Sequence, residues 1–445
     1  MRPSRAPATP WRALPRGRLT VGATGAKPSN MDRPLAAALL ALAAAAPRSP
    51  AAAPAQATYE ASAFVDDLEQ PTDLAFLPGG AMVIVEKGGG VRVRSASGAV
   101  TRAGAFDVDD ESEKGLLGVA VHPAFATNRV LFFYLSASDR AGGSDLDRHR
   151  VVAVPLGEDG KLQQDRAKVI VSGLRGPANH DGGALAIGPD GKLYVGVGDT
   201  GCNSGRRPEP PYGPTNFFAT CLTNGNGKIL RVNLDGSIPD DNPLAKVAAA
   251  TACGATCRAA PEGTAPPRRD IWAWGFRNPW RFTFDPATGH LWVGDVGEVE
   301  IEEVTIARAG RHHGWPWREG SSGWPGARCR ETRPDTGDCV EPVYACRHGG
   351  AAGGLDGDCV SITGGVFLAG EGWPASERGR YLFADNVNGR VWTLALDAAR
   401  TGVVKGSRRE ALRLPGAPVS LRVGPDGLVY AAVLAGRIVR ISARP

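Results

Sequence analysis

Downstream of residue 58, apolar and polar residues alternate along short stretches, and an apolar period of three to four residues is almost absent; this predicts strands and few helices. One unit recurs: an alternating apolar segment, a turn built on Pro and Gly, and a second apolar segment ending near Gly or Asp. It runs from Leu74 to Val85, from Val119 to Tyr134, and most clearly from Leu185 through Pro189-Asp190-Gly191 to Val195. Phe282 to Val293 echoes it, Gly364-Gly365-Val366-Phe367 pairs with Tyr381-Leu382-Phe383, and Leu421 to Tyr430 is the sixth copy.

A single four-stranded sheet cannot bury both its faces, so repeated hairpins stack radially and cover one another. Six copies therefore predict an all-β, six-bladed β-propeller spanning residues 58–445 as one domain. A β-sandwich is the alternative, but it does not account for the repeated turn. The long gap between the third and fourth copies is rich in Gly and Pro and holds four cysteines, which reads as loop insertions on one face.

Composition alters the picture mainly at the N-terminus. The chain has 51 Lys and Arg against 46 Asp and Glu, yet residues 1–57 alone hold eight basic residues and one acidic. Met31-Asp32-Arg33, an apolar Leu/Ala run and Ala55-Gln56-Ala57 read as a signal peptide, with Met31 the true start and a transit peptide the alternative. Export to the periplasm or secretion is expected. The run is too short and too rich in Ala to span a bilayer. The remaining residues are nearly neutral, with no basic run, which gives no support for a nucleic-acid partner.

All eight cysteines follow residue 57, and an even count in an exported chain predicts disulfides. Proximity along the chain favours Cys202 with Cys221, Cys253 with Cys257, Cys329 with Cys339 and Cys346 with Cys359. Zinc is disfavoured, because no C-x2-C pair occurs.

Three loops carry reactive side chains. Asn179-His180-Asp181-Gly182-Gly183 offers an imidazole beside a carboxylate, suited to a general base, or simply a hydrogen bond in a turn. Gly275-Phe276-Arg277-Asn278-Pro279-Trp280 joins a permanent cation to an amide; stacking of Arg277 on Trp280 is the plainer alternative. Gly294-Asp295-Val296-Gly297-Glu298 is an oxygen-rich loop of the kind that suits Ca²⁺, or else a solvated acidic turn. No G-x-G-x-x-G sits between a strand and a helix, so NAD is disfavoured.

Over nearly all of the chain after residue 64 the motifs resemble the soluble glucose/sorbosone dehydrogenase family, quinoproteins that use pyrroloquinoline quinone (PQQ) and Ca²⁺ on a six-bladed propeller. The resemblance rests on Glu113-Lys114-Gly115-Leu116-Leu117-Gly118, His180-Asp181-Gly182-Gly183, Gly275-Phe276-Arg277-Asn278-Pro279, Gly294-Asp295-Val296-Gly297 and His313-Gly314-Trp315-Pro316. It implies oxidation of an aldose sugar at the anomeric carbon, with electrons passed to an external acceptor. By the same resemblance His180 is the base and Arg277 stabilises charge on the quinone. Asn278 and Arg390 bind cofactor, Glu113 and Asp181 contact substrate, and the carbonyls of Gly297 and Glu298 hold Ca²⁺.

Members that oxidise glucose also use Lys and Arg from the last blades, where this chain has Ala369 and Asp385 to Arg390. The Gly-Asp-Val-Gly form and the cysteines are closer to the hedgehog-interacting-protein-like branch. Two other readings stay open: a non-catalytic propeller binding carbohydrate or protein, and a calcium-dependent lactonase-type hydrolase.

Overall fold

The computed structural model describes residues 57–176, 179–202, 216–320, 322–323, 329, 334, 337–352 and 355–444. The export segment expected over residues 1–57 lies outside them except for Ala57, as do Pro177 and Ala178 of the His180 loop. Among the described residues no helix is long and apolar enough to cross a membrane.

Six sheets follow one another along the chain, antiparallel except where Tyr344–His348 pairs parallel with Asp356–Cys359 at the edge of the fourth. Their innermost strands are Pro71–Phe76, Leu116–Val121, Leu185–Ile187, Pro279–Phe284, Ile362–Phe367 and Pro418–Val423, and each touches the next in order until the sixth meets the first. This is the six-bladed propeller that the repeats predict, and the six copies are the inner hairpins of the six blades. The ring closes through the chain's start: Thr58–Val65 pairs antiparallel with Arg437–Arg444 and completes the sixth blade.

Alternation also builds the core. Met82 and Ile84 face the sixth blade while Val83 and Val85 face the second, because successive side chains in a strand point to opposite faces. Likewise Trp292 packs towards the fifth blade and Leu291 and Val293 towards the third. The result is one apolar cluster at each of the six blade interfaces.

Five inner strands share a register shift at the same place: between Pro71 and Asp73, Leu116 and Gly118, Pro279 and Arg281, Ile362 and Gly364, and Pro418 and Ser420. Such a bulge re-aims a side chain near a functional end. Thr72, Leu117, Trp280 and Val419 occupy four of these positions, and all four line the central cavity described below.

The long gap between the third and fourth repeats belongs largely to one blade. It holds the strands Lys228–Val232 and Ile271–Trp274 of the third blade, with cysteine-bearing insertions on either side of the first. All eight cysteines are paired, but only Cys329–Cys339 and Cys346–Cys359 join as sequence proximity suggests. The other pairs are Cys202–Cys257 and Cys221–Cys253. The two insertions lie side by side: the amides of Phe217 and Leu222 donate to the carbonyls of Cys257 (2.8 Å) and Thr251 (2.9 Å). That contact places Cys221 beside Cys253 rather than beside its neighbour in sequence.

Close to the axis, fully buried Asp73 receives Arg422 through both oxygens (3.0 and 2.6 Å) and lies near Arg281, itself fully buried. Burial works against the Asp73 charge, but the two guanidiniums outweigh it and hold the carboxyl below its ordinary range. A depressed carboxyl contributes stability above its unfolded pKa, and that contribution is lost as pH falls through the folded value.

Four outcomes are expected. Asp73→Ala, which leaves buried Arg281 and half-buried Arg422 without their carboxylate, lowers unfolding free energy by about 3–5 kcal/mol, read by thermal or denaturant unfolding. Wild-type stability also declines below about pH 4, a slope that Asp73→Asn flattens. Peptide mapping without reduction recovers the Cys221–Cys253 and Cys202–Cys257 peptides, and Cys253→Ala costs ~2–4 kcal/mol.

Candidate functional site

The inner strands all leave the same end of the ring, so residues just ahead of each one meet at a single mouth. A cavity of ≈ 340 Å³ lies there, and Glu113, His180, Arg277 and Asn278 line it together with Gly297. These residues come from loops as far apart in sequence as Glu113 and Gly297.

His180 is buried, with its backbone in the left-handed region (φ 55°). Its Nδ1 lies 2.6 Å from Asp199 Oδ1, and its backbone amide donates to Glu113 Oε2 at 2.8 Å. Asp199 also accepts the Gly201 amide on Oδ1 (2.9 Å) and the Trp315 indole N–H on Oδ2 (2.6 Å). Burial acts against the Asp199 charge, but His180 and Arg277 together bring the carboxyl below its usual range. A carboxylate that only accepts assigns the hydrogen to Nδ1 and leaves Nε2 as the basic nitrogen.

The glycines after Asp181 are required by close approach. A Cβ on Gly182 (φ 66°) would stand 2.6 Å from the Gly196 carbonyl oxygen, and one on Gly183 (φ 101°) 2.6 Å from the Leu117 Cβ.

Arg277 is buried; it donates to the Val296 carbonyl (3.1 Å) and lies 5.7 Å from the Trp315 ring centre, whereas its Nε has no partner. Stacking on Trp280, the alternative read from sequence, is instead done by Arg281 at 4.6 Å. Asn278 accepts the Gly182 amide (3.2 Å) and donates to Glu113 Oε2 (3.4 Å), so it ties the second, third and fourth blades together. The amides of Arg277 and Asn278 both donate to Asp295, whose carboxyl burial raises to about 7.

Three of the residues read from sequence lie elsewhere. Asp181 is fully buried and turned inward onto His149 Nε2 (2.8 Å), on the far side of the left-handed turn at His180. Arg390 pairs with Asp358 (2.9 Å) and Glu410 (3.7 Å) and is not among the residues lining the cavity. Glu298, half-buried beside Gly297, does not line it either, and burial raises its carboxyl.

The amides of Glu298, Val299, Glu300 and Ile301 converge on Glu319 Oε1 at 2.8–3.1 Å. Since a trans peptide directs its carbonyl opposite to its N–H, the carbonyls of Gly297 and Glu298 point away from Glu319. Among the described residues no group of three His, Cys, Asp or Glu side chains is placed to hold a metal.

Sequence reasoning missed Lys87, Ser361, Asn386 and Trp280, all of which line the cavity. A signal existed for two of them. Lys87, Val296, Asn386 and Leu434 each follow the second strand of their blade immediately, and all four line the cavity, so an alignment of the repeats on that position would have found them.

A family model described as Glucose / Sorbosone dehydrogenase matches residues 68–440. The aldose sugar dehydrogenase YliI of Escherichia coli is 25% identical over 407 residues, covering 88% of this chain and 94% of that protein. Quinoprotein glucose dehydrogenase B of Acinetobacter calcoaceticus is 27% identical over 274 residues, 58% of this chain and 52% of that protein. In fold the chain resembles the PQQ-bound aldose sugar dehydrogenase of Streptomyces coelicolor, with a TM-score of 0.63, 21% identity, and coverage of 88% of this chain and 99% of that one.

Proposed function

Because the chain belongs to the glucose/sorbosone dehydrogenase family, we propose that it is a PQQ- and Ca²⁺-dependent aldose dehydrogenase that oxidises the anomeric carbon and passes electrons to an external acceptor. The observation that carries this reading is the His180–Asp199 pair lining one cavity with Arg277, Asn278 and Glu113. Met31 to Ala57 fits an export signal, and the four disulfides agree with an oxidising compartment.

The lining suits a flat, polyanionic quinone. Arg277 brings a buried Nε without a partner, Lys87 adds a second cation from the first blade, and Ser361 and Asn386 add polar groups from the fifth. Lys87 would thus hold a carboxylate that Arg390 was expected to bind, with Arg277 placed for charge on the quinone. When bound, PQQ supplies the acceptor for a hydride. The carbonyls of Gly297 and Glu298 would serve a Ca²⁺ ion, which accepts such ligands readily.

In this reading Asp199 fixes the imidazole and Nε2 of His180 takes the proton of the C1 hydroxyl as the C1 hydrogen leaves with its electron pair. The product is the lactone. Arg277 stabilises the negative charge that grows where the hydride arrives. Glu113, held by the His180 amide and Asn278, presents its carboxylate to sugar hydroxyls.

Purified apo-protein given PQQ and Ca²⁺ is expected to reduce a dye in the presence of aldoses, and His180→Ala to lower kcat by ~10²–10⁴-fold while PQQ still binds. Absence of any PQQ absorbance shift at saturating Ca²⁺ would point to a binding module, and lactone hydrolysis without PQQ to a hydrolase. Lys87→Gln, which removes one charge-assisted contact, is expected to weaken PQQ binding by about 10- to 100-fold in a titration.

A further inference from the structure

Behind the His180–Asp199 pair lies a second imidazole–carboxylate pair, built on the next residue of the same loop. His149 Nε2 is 2.8 Å from Asp181 Oδ1, and His149 Nδ1 is 3.0 Å from Ser136 Oγ. All three side chains are fully buried. Ser, His and Asp in contact suggest a nucleophile, but no solvent reaches Ser136, and its oxygen already accepts the Gly115 amide at 3.1 Å.

The Asp181 carboxylate sets the direction of the chain. It can only accept, so His149 carries its hydrogen on Nε2 and donates to Asp181, and the Nδ1 of the neutral ring accepts the Ser136 hydroxyl, whose oxygen in turn accepts the Gly115 amide. The chain therefore runs from Gly115, two residues beyond Glu113, to Asp181, one residue beyond His180. On the cavity side the same two loops are joined again, by the His180 amide on Glu113 Oε2 (2.8 Å) and Ser112 Oγ on Asn179 Oδ1 (2.8 Å). The Asp181 carbonyl is tied as well, by the Tyr134 hydroxyl at 2.8 Å.

We propose that His149 is a positioning residue for the reaction: through Ser136 and Asp181 it locks the loop bearing Glu113 against the loop bearing His180. The inference rests on the dehydrogenase reading for its effect on turnover. Asp181 Oδ2 has no partner, so His149 is what makes burial of this carboxylate tolerable. With His149 gone, Asp181 turns towards water, and His180, held at φ 55° between its two neighbours, turns with it.

The test compares His149→Leu, which fills the space without hydrogen bonds, with His149→Gln, whose amide can both accept from Ser136 and donate to Asp181. Each is reconstituted with PQQ and Ca²⁺ and assayed with an aldose. His149→Leu is expected to bind PQQ normally yet lose about 10- to 100-fold in kcat, with a rise in KM from the displaced Glu113, whereas His149→Gln stays within about threefold of wild type. Imidazole ¹H–¹⁵N spectra supply a readout independent of turnover: the Nδ1–H signal of His180 shifts in His149→Leu and returns in His149→Gln. Should His149→Leu fail to fold, Ser136→Ala breaks the same chain without disturbing charge and is expected to move that signal and kcat in the same direction.

A folded His149→Leu with wild-type kcat, KM and His180 signal overturns the proposal. So does equal loss in the Leu and Gln variants with the His180 signal unmoved. If the wild type itself reduces no dye, the dehydrogenase reading fails, and the His180 signal alone then decides whether His149 positions the loop.

Discussion

The Asp73 carboxylate, set between Arg422 and Arg281 close to the axis, is the contact on which the ring and its cavity both depend. It also accepts the Ser420 hydroxyl (2.6 Å) and the Val119 amide (3.2 Å), so the first, second and sixth blades meet on one group. Arg281 extends the junction: it reaches from the fourth blade to the carbonyls of Thr72 (2.9 Å) and Leu117 (2.8 Å). Arg422 touches the Leu185 carbonyl of the third blade at 3.4 Å, and Thr363 of the fifth bonds the Pro418 carbonyl of the sixth at 2.6 Å. Thr72 and Leu117 thus give their carbonyls to the junction and also line the cavity. Burial lowers Arg281 to about 10, which still leaves it charged at neutral pH.

Much of the fold was legible because one physical rule governs it. The second strand of every inner hairpin is buried on both faces by neighbouring blades, so both sets of its alternating positions are largely apolar and the repeat shows through six times. The closing strand escaped notice for the opposite reason: Thr58–Val65 is an outer strand, largely exposed or half-buried, and Thr58, Glu60 and Ser62 give it no such signature. The two mispaired disulfides failed similarly, since contact between two insertions is a tertiary fact that spacing along either one does not encode.

The site was readable where a motif stands just ahead of an inner strand, because the fold sends every such position to the same mouth. Glu113, His180, Arg277 and Asn278 met on that account. Asp181 and Arg390 lie off the cavity because chemical type alone carries no direction: a carboxylate next to His180 faces the interior, and a guanidinium in the fifth blade already has its own acids. Lys87 was overlooked because a lone lysine after a strand carries no motif, and only its rank in the repeat marks it.

Direction explains the order His-Asp-Gly-Gly itself. The loop must deliver an imidazole to the cavity and, one residue later, a carboxylate to the interior, then bring its backbone close to both Gly196 and Leu117 before entering a strand. A left-handed His180 accomplishes the reversal, at about 1 kcal/mol or more for a residue with a Cβ. Such a conformation persists only where the surroundings over-determine it, and here they do: Asp199 holds the ring, Glu113 the amide, and Tyr134 and His149 the following residue. The imidazole is therefore held in one orientation by the fold, and in the proposed dehydrogenase reading the reorganisation that a free histidine would undergo during proton transfer is already offset by folding.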